Sequence, residues 1–495
     1  MEILSHYIDG EATPDGNRLS DVYDPALGRV VRRVAMASPD TVRKAVGAAA
    51  SAFVGWRKTQ PQKRVRILWR FKDLLERHSD EIVSAITEEH GKVWEDAVGE
   101  LQRGIEAVEY SCGITELSKG EHSRDVGPGI DCWSEFSPLG VVAGITPFNF
   151  PAMVPMWMFP IATACGNTFV LKPSEKDPSC SLILARLLTE AGLPKGVFNV
   201  INGDKETVNT LLSEPRVQAI SFVGSTAVAE YIYATGARHG KRVQALGGAK
   251  NHAVVMPDAD LENATNVIMG AAYGSCGERC MAISVVVVVG EHMADELVRR
   301  LASRVAGLRL GKGKGFDMGP LVTATHRDKV RGYCDIAEQE GARIVVDGRN
   351  PATVVPAGGF FLAGTLLDRV TPSMRVYREE IFGPVLCIMR VSTIDEAIEL
   401  VDSHEYANGC CIFTRDGGSA RRFSDNVGVG MIGINVPLPV PVASHSFGGW
   451  KRSFFGDLCA YGPDAVRFYT RRKTLTQRWP VAGSDKTQFA FLSNT

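Results

Sequence analysis

Residues 140–171, with the sequence GVVAGITPFNFPAMVPMWMFPIATACGNTFVL, decide the fold of this chain. The stretch contains no charged side chain, and its length alone would permit a membrane span. Its four prolines, however, would leave several backbone groups without partners in lipid. We therefore predict a soluble arrangement of strand, helix and strand at residues 140–145, 151–164 and 168–171.

Apolar runs and helical patterns alternate downstream of this stretch. The further strands are predicted at residues 197–200, 219–223, 243–246, 254–256, 285–289, 343–346 and 385–389, with helices between them. Upstream, amphipathic helical patterns cover residues 61–90, closed by Gly91, and residues 93–110. Such alternation is typical of parallel, doubly wound sheets with helices on both faces, so the predicted fold class is α/β.

Composition narrows the class of protein. A chain of 495 residues is long enough for two or three domains. Its 55 basic and 56 acidic residues give a net charge of −1, so we expect neither nucleic acid nor membrane as a partner. The 11 scattered cysteines favour reduced thiols over a disulfide framework. Because the first residues match no secretory or transit signal, we expect a cytoplasmic protein.

Five short motifs follow one another in a fixed order. They are Pro147-Phe148-Asn149-Phe150-Pro151, Lys172-Pro173-Ser174-Glu175, Phe222-Val223-Gly224-Ser225-Thr226, Gly277-Glu278-Arg279-Cys280 and Glu380-Ile381-Phe382-Gly383-Pro384. A lone cysteine before an apolar strand is usually a core residue. In this company and spacing, the set resembles the aldehyde dehydrogenase superfamily.

The resemblance implies an architecture of two doubly wound α/β domains and a small β oligomerisation extension. An NAD-binding domain would comprise residues 1–119 and 141–249, and a catalytic domain residues 250–446. Residues 120–140 and 447–495 would form the oligomerisation and bridging segments. The polar residues 120–129 and the tail 468–478 suit this extension, which joins subunits in the superfamily. We therefore expect a homodimer or homotetramer.

The adenosine half of NAD would bind where strands lead into helices. Ser225 follows Gly224 at such a turn, where a small residue lets a pyrophosphate approach the helix N-terminus. The superfamily often has a second glycine where this chain has Ala229, which departs from the pattern. Taken alone, the turn is equally compatible with an ordinary serine cap.

The resemblance assigns further cofactor contacts. Lys172 and Glu175 match the positions that hold the adenosine ribose, and a carboxylate there would repel a 2′-phosphate, which favours NAD over NADP. Lys176, next in sequence, would weaken that discrimination. Phe148 is expected to contact the cofactor from a facing loop, and Glu380 matches the glutamate that holds the nicotinamide ribose.

Catalysis in this superfamily begins with a thiolate. The resemblance assigns this role to Cys280, which would attack the aldehyde and form a thiohemiacetal that yields hydride to NAD. Asn149 matches the residue whose amide stabilises the oxyanion together with the backbone N–H of the cysteine. An asparagine between two prolines is otherwise an ordinary turn residue.

One superfamily residue is absent. Hydrolytic members carry a glutamate that activates water, and this chain has Ala245 at the matching position of the sequence QALGGAK, residues 244–250. Loss of a general base slows water attack by roughly 100- to 10,000-fold, whereas a thiol is partly ionised and intrinsically more nucleophilic. We therefore predict that the acyl group leaves on coenzyme A as co-substrate.

Two arginines indicate what the substrate carries. Arg279 precedes the nucleophile, and Arg103 lies in a predicted helix beside Gly104, which permits close packing. Arginine binds carboxylates with a planar fork, so the pair suits an aldehyde with a second acid group. Arg103 alone would more often be a surface or ion-pair residue.

With the segments ALGGAKNH (residues 245–252), GERCMA (277–282) and FGGWK (447–451), the resemblance narrows to the CoA-acylating methylmalonate-semialdehyde (malonate-semialdehyde) dehydrogenases. This family membership implies NAD-dependent oxidation of malonate or methylmalonate semialdehyde, with loss of the β-carboxyl group, to acetyl-CoA or propionyl-CoA. Cys276 departs from the small residue expected four positions before the nucleophile; it would be inert or would pair with Cys280 on oxidation.

Three alternatives remain open. A hydrolytic aldehyde dehydrogenase would release a free acid and would need a replacement base, for which Glu278 is the candidate. The chain could instead be a non-catalytic NAD-binding protein, or a redox-sensing thiol protein. No His or Cys spacing indicates a metal site, and His252, His445, Cys410 and Cys411 are expected to serve packing or local hydrogen bonds.

Overall fold

The structure is a computed structural model that describes residues 1–16, 18–351 and 355–479. Its strands are β1 Ile3–Leu4, β2 His6–Ile8, β3 Glu11–Thr13, β4 Leu19–Asp24, β5 Arg29–Ala35, β6 His122–Gly127, β7 Ile130–Pro138, β8 Val141–Ile145, β9 Thr168–Lys172, β10 Phe198–Val200, β11 Val217–Val223, β12 Arg242–Leu246, β13 Asn251–Val255, β14 Ile283–Val289, β15 Arg343–Val346, β16 Thr365–Asp368, β17 Val385–Val391, β18 Tyr406–Ala407, β19 Gly409–Phe413, β20 Met431–Ile434, β21 Trp450–Lys451, β22 Phe454–Phe455 and β23 Thr470–Arg478.

The helices are α1 Pro39–Trp56, α2 Pro61–Arg77, α3 Ser79–His90, α4 Trp94–Ser111, α5 Ile114–Leu117, α6 Met153–Ala164, α7 Ser179–Glu190, α8 Lys205–Ser213, α9 Thr226–Arg238, α10 Leu261–Tyr273, α11 Glu291–Ala306, α12 Ala324–Gln339, α13 Arg375–Arg378, α14 Ile394–Ser403, α15 Gly417–Asn426 and α16 Pro463–Phe468. A 3₁₀ turn, Gly274–Gly277, leads towards Cys280. The predicted α/β class is confirmed.

The first large sheet has the strand order β22-β12-β11-β8-β9-β10-β2-β3. β8 pairs in parallel with both β9 and β11, so the strand order reverses beside β8. The carboxyl ends of β8, β9, β11 and β12 meet at one edge of the sheet. Ligands of doubly wound proteins bind at such an edge, next to the point where the strand order reverses.

The second large sheet has the order β15-β16-β17-β14-β13-β19-β20. Its central strands β13, β14 and β17 are almost wholly buried, which explains why their valine-rich runs are continuous rather than alternating. The parallel strand β14 begins three residues after Cys280. The nucleophile therefore lies at the amino end of a central strand.

Some sequence predictions need correction. The sheets are not wholly parallel, because β2, β3, β15 and β22 pair antiparallel at or near their edges. The pattern over residues 61–90 is two helices, since His78 adopts a non-helical conformation between α2 and α3. Gly91 ends α3 at a φ of 87°, as its position predicts.

A third sheet, β23-β7-β6, corresponds to the predicted β extension. β23 and β7 pair antiparallel from Thr470 with Pro138 to Arg478 with Ile130. The proposed bridging segment 447–495 also includes residues 480–495, which lie outside the described residues. In the described part of the chain, no helix combines the length and apolar character required to cross a membrane.

Candidate active site

A cavity of about 370 Å³ lies between α4, α6 and the segment that carries Cys280. Its walls include Cys280, Arg103 and Arg279, together with the aromatic residues Phe150 and Trp157. The structure thus brings the predicted nucleophile and both predicted substrate arginines to one space. Gly104 allows α4 to pack closely against α6, because a methyl group at this position would lie 2.2 Å from the Met156 side chain. This close packing brings Arg103 to the cavity of Cys280.

The turn before the nucleophile is strained. Ser275 and Cys276 both have a φ of 53°, and Gly277 has a φ of 71°. Residues other than glycine rarely adopt this left-handed backbone conformation, and such strain is concentrated at functional sites. A methyl group on Gly277 would lie 2.3 Å from the Gly383 carbonyl oxygen, so glycine is needed where this turn meets the loop after Glu380.

Two asparagines hold the nucleophile in place. The Asn251 amide donates to the carbonyl oxygens of Cys280 at 2.8 Å and Ala282 at 3.0 Å. The Asn408 amide donates to the same Cys280 oxygen at 3.2 Å. Both are buried, so these hydrogen bonds are protected from water. Sequence reasoning did not assign Asn251 or Asn408 a role, because neither belongs to a recognised catalytic spacing.

The surroundings of Cys280 do not favour the thiolate that the resemblance assigns to it. The residue is half-buried, and burial, reinforced by the negative charge of Glu380, raises the pKa of the thiol to about 12. Hydrogen bonds from the backbone N–H groups of Cys280 and Met281, and the charge of Arg279, lower this pKa less strongly. The Cys280 thiol is therefore protonated near neutral pH.

Cys276 lies apart from the nucleophile. It is 1% exposed and belongs to the apolar core of the second sheet, whereas Cys280 packs against the core of the first. Burial raises the pKa of the Cys276 thiol well above its usual value. All 11 cysteines are free. The geometry supports the inert alternative for Cys276.

Each predicted substrate arginine is already paired with an acid. The Arg279 guanidinium contacts the Asp96 carboxylate and donates to the Gly270 carbonyl at 3.3 Å. Arg103 pairs with Glu106 and donates to the Pro441 carbonyl at 2.7 Å. Sequence reasoning missed both acids, although their spacing from Arg103 on α4 indicates a shared helix face.

The motif places Ala245 at the position of the missing glutamate, and Leu246 follows it in β12. Ala245 belongs to the apolar cluster of Val243 and Ile220, on the opposite face of the sheet from the nucleophile. Leu246 belongs to the cluster that Met281 joins and against which Cys280 packs. Because strand side chains alternate, Leu246 is the β12 residue on the side of the thiol. Both residues are apolar, so β12 supplies no general base.

Besides Asp96 and Glu100, which line the larger cavity, two further acids lie near Cys280 and have different surroundings. Glu380 borders a small second cavity together with Cys280, and its carboxylate accepts a hydrogen bond from the Ala249 N–H at 2.9 Å. Burial raises the pKa of Glu380 to about 6. Glu278 instead faces the Val322 N–H at 3.4 Å and the His326 ring at 3.7 Å. It is absent from the described walls of both cavities at Cys280, which disfavours it as a replacement base.

Glu278 should make stability depend on pH. Burial raises its pKa to about 8, so the folded protein keeps a proton that the unfolded chain releases above its usual pKa near 4.5. This stabilisation is fully present below pH 4.5 and is lost as the pH rises through 8. This group can change the free energy of unfolding by at most about 1.4 kcal/mol per pH unit. We expect Glu278→Gln to abolish this contribution to the pH dependence.

The measurement is the melting temperature at pH 5 and pH 8.5. The melting temperature of Glu278→Gln minus that of the wild type should be more positive at pH 8.5 than at pH 5. Glu95→Gln, which changes an exposed acid on α4, is the matched control. An equal difference at both pH values would show that Glu278 is ionised in the folded protein throughout.

The predicted cofactor residues gather at the carboxyl edge of the first sheet. Lys172 ends β9, and its ammonium lies 3.3 Å from the Glu175 carboxylate. The Lys176 ammonium lies 4.3 Å from the centre of the Phe148 ring. Ser225 is exposed as the N-cap of α9 and makes no capping hydrogen bond through its side chain. Ala229, in place of the second glycine, is fully buried against the sheet.

Two sets of residues predicted to lack a catalytic role have local partners. His252 is buried and its ring lies 3.2 Å from the Tyr377 hydroxyl, while Cys410 and Cys411 are buried in β19.

Across residues 1–16, 18–351 and 355–479, no group of three or more His, Cys, Asp and Glu side chains is arranged to hold a metal ion.

Several known proteins are similar to this chain in sequence and structure. The model of the aldehyde dehydrogenase family matches residues 12–475. A malonate-semialdehyde dehydrogenase of Pseudomonas aeruginosa is 62% identical over 496 residues, with 100% of both chains covered. The crystal structure of a methylmalonate-semialdehyde dehydrogenase from Oceanimonas doudoroffii is 61% identical, with a TM-score of 0.97 over 98% of this chain and 100% of that one. A Sinorhizobium meliloti 1021 protein solved in complex with NAD is 49% identical, with a TM-score of 0.96 over 98% of this chain and 99% of its own. The chain belongs to the aldehyde dehydrogenase family.

Proposed function

We propose that this enzyme oxidises malonate semialdehyde and methylmalonate semialdehyde with NAD, and transfers the acyl group to coenzyme A. The products are acetyl-CoA or propionyl-CoA, with CO2 from the β-carboxylate. One observation carries the proposal: Cys280 shares its cavity with Arg103 and Arg279, while β12 presents Leu246 rather than a glutamate on that side. The relatives named for these two semialdehydes support it.

The carboxyl edge of the first sheet fits NAD. Ser225 leaves the N-terminus of the 13-residue helix α9 exposed, where backbone N–H groups favour a pyrophosphate. The Glu175 carboxylate and Lys172 ammonium suit the hydroxyls of the adenosine ribose, and Lys176 and Phe148 would border it. Glu380 would hold the nicotinamide ribose. Bound NAD would supply the hydride acceptor.

The protein groups at the nucleophile would then act in order. The Cys280 thiol gives its proton to solvent as its sulfur forms a bond to the aldehyde carbon, and the electron pair of the broken C=O π bond makes the carbonyl oxygen an oxyanion. The Asn149 amide and the Cys280 backbone N–H are the proposed donors to this oxyanion. Asn149 is 3% exposed and precedes Phe150, which lines the cavity of Cys280. Loss of hydride from the substrate carbon leaves a thioester on Cys280.

Loss of CO2 and release to CoA complete the proposed reaction. Loss of CO2 from the acyl group on Cys280 breaks the bond to the β-carboxylate, and the electron pair moves to the thioester oxygen as an enolate. The same donors would stabilise the enolate, which then takes a proton at carbon from solvent. Water has no primed base beside Leu246, whereas the thiol of CoA gives its proton to solvent, attacks the thioester and expels the Cys280 sulfur as a thiolate.

Arg279 provides a test of this substrate class. With acyl-CoA as the measured product, we expect Arg279→Gln to raise KM for malonate semialdehyde by about 10- to 100-fold, the usual cost of losing a buried charge partner. KM for propanal, which has no acid group, should change by less than about twofold. The Asp96 carboxylate left unpaired by the substitution would further repel the substrate.

Arg421→Gln is the control, because Arg421 is exposed on α15. An equal rise in KM for both aldehydes would show that Arg279 does not recognise the acid group. If the wild type makes no acyl-CoA from malonate semialdehyde, the proposed function itself is wrong.

We also propose that the β23-β7-β6 sheet joins subunits of a homodimer or homotetramer. β6 is almost entirely exposed in the single chain, and β7 is mostly half-buried. An exposed three-stranded sheet is suited to pairing with another subunit.

A further inference from the structure

A buried ion pair between Lys92 and Glu100 lies beside the loop that carries Asn149. The Lys92 ammonium lies 2.7 Å from the Glu100 carboxylate, and the two side chains are 1% and 0% exposed. Lys92 follows Gly91 at the end of α3, and Glu100 lies within α4. Neither residue is the proposed nucleophile or a proposed cofactor contact, and Glu100 also lines the cavity of Cys280.

Each member of the pair also forms hydrogen bonds to the backbone of this loop. Lys92 donates to the Asn149 carbonyl oxygen at 2.7 Å, and its ammonium lies 4.3 Å from the centre of the Phe150 ring. The second Glu100 oxygen accepts from the backbone N–H groups of Ala152 at 2.8 Å and Met153 at 3.2 Å. The pair therefore fixes residues 149–153 at both ends, one through a carbonyl oxygen and the other through two N–H groups.

The loop has no capping group of its own. α6 begins at Met153, and its N-cap, Ala152, makes no side-chain capping bond. Glu100 supplies the missing acceptor from another helix and places a negative charge at the positive end of α6. Lys92 balances that charge where water is excluded. Because a buried ion pair is weak evidence for stability alone, its contacts indicate a role in holding the loop.

We propose that Lys92 and Glu100 are positioning residues that set the Asn149 amide for stabilisation of the oxyanion. The proposal rests on the function proposed above for Asn149. The pair holds the backbone of Asn149 and the start of α6 while Asn251 and Asn408 hold the backbone of Cys280. The two proposed donors to the oxyanion are thereby fixed independently, from separate elements.

The test compares Glu100→Gln in two backgrounds, wild type and Asn149→Ala, with malonate semialdehyde, NAD and CoA. A misplacement of about 1 Å can cost about 100-fold in rate, so we expect kcat to fall by about 10- to 100-fold in the wild-type background. In the Asn149→Ala background, Glu100→Gln should change kcat by less than about twofold, because the group it positions is gone. KM for NAD should change by less than about twofold in both.

A second readout distinguishes positioning from loss of structure. The rate at which iodoacetamide alkylates Cys280, followed by mass spectrometry of its peptide, requires no oxyanion donor. It should be unchanged in Glu100→Gln, whereas a collapsed site would alter it. Glu109→Gln, which changes an exposed acid on the same helix, is the matched control. If Glu100→Gln fails to fold, the uncharged pair Lys92→Met/Glu100→Gln takes its place in both backgrounds.

The outcomes separate the two proposals. Equal loss of kcat from Glu100→Gln, or from the double variant, in both backgrounds overturns the positioning role. A full rate in Asn149→Ala alone contradicts the proposed role of Asn149 and, with it, this inference. An absence of acyl-CoA from the wild type contradicts the proposed function.

Discussion

Cys280→Ala is expected to lose at least about 10⁴-fold in NADH formation, because no other thiol, hydroxyl or amine side chain is among the described walls of this cavity. An aldehyde is a poor hydride donor until a nucleophile adds to its carbon, so the loss should fall on kcat. Binding of NAD should persist, since its proposed contacts lie at the carboxyl edge of the first sheet.

The measurement is steady-state NADH formation from malonate semialdehyde with CoA, together with NAD binding by calorimetry. Cys132→Ala is the control, because Cys132 is a half-buried cysteine on β7, in the extension sheet. Turnover above about 1% of the wild-type rate in Cys280→Ala would contradict covalent catalysis at this residue. Full turnover would also favour a non-catalytic role for its thiol.

Local patterns predicted much of the fold. The strands from Val141–Ile145 to Arg242–Leu246 were predictable because buried parallel strands are continuous apolar runs separated by helical periods. The strands β1 to β5 were not predicted. β3 is only three residues long and mostly exposed, and β5 carries arginines among its valines, so neither has the apolar alternation of a typical strand.

The site was predictable to a smaller extent. Its motifs identify Cys280, Asn149 and the two arginines, but their partners lie far away in sequence. Asp96 meets Arg279 across 183 positions, and no local spacing indicates that contact. The face of β12 that meets Cys280 depends on how the strand is oriented in its sheet, so the motif that names Ala245 does not show that Leu246 lies on that face.

Turnover is expected to depend on CoA. Without a base on β12, water attack on the Cys280 thioester should be slower by roughly 100- to 10,000-fold. NADH should therefore form in a single burst of about one equivalent per site when CoA is absent, and continuously when it is present. Glu380 borders the small second cavity with Cys280, while Asp96 and Glu100 line the larger one, so Glu380→Gln tests one of three nearby acids as the source of any residual hydrolysis.

The most direct measurement is the identity and rate of the product formed from malonate semialdehyde and NAD, with and without CoA. We predict acetyl-CoA and CO2 at full rate with CoA, and only a burst of NADH followed by slow release of free acid without it. Free acid released at full rate in the absence of any thiol acceptor would contradict this prediction. If Glu380→Gln then abolished that release while leaving the burst of NADH intact, Glu380 would be the base that primes water.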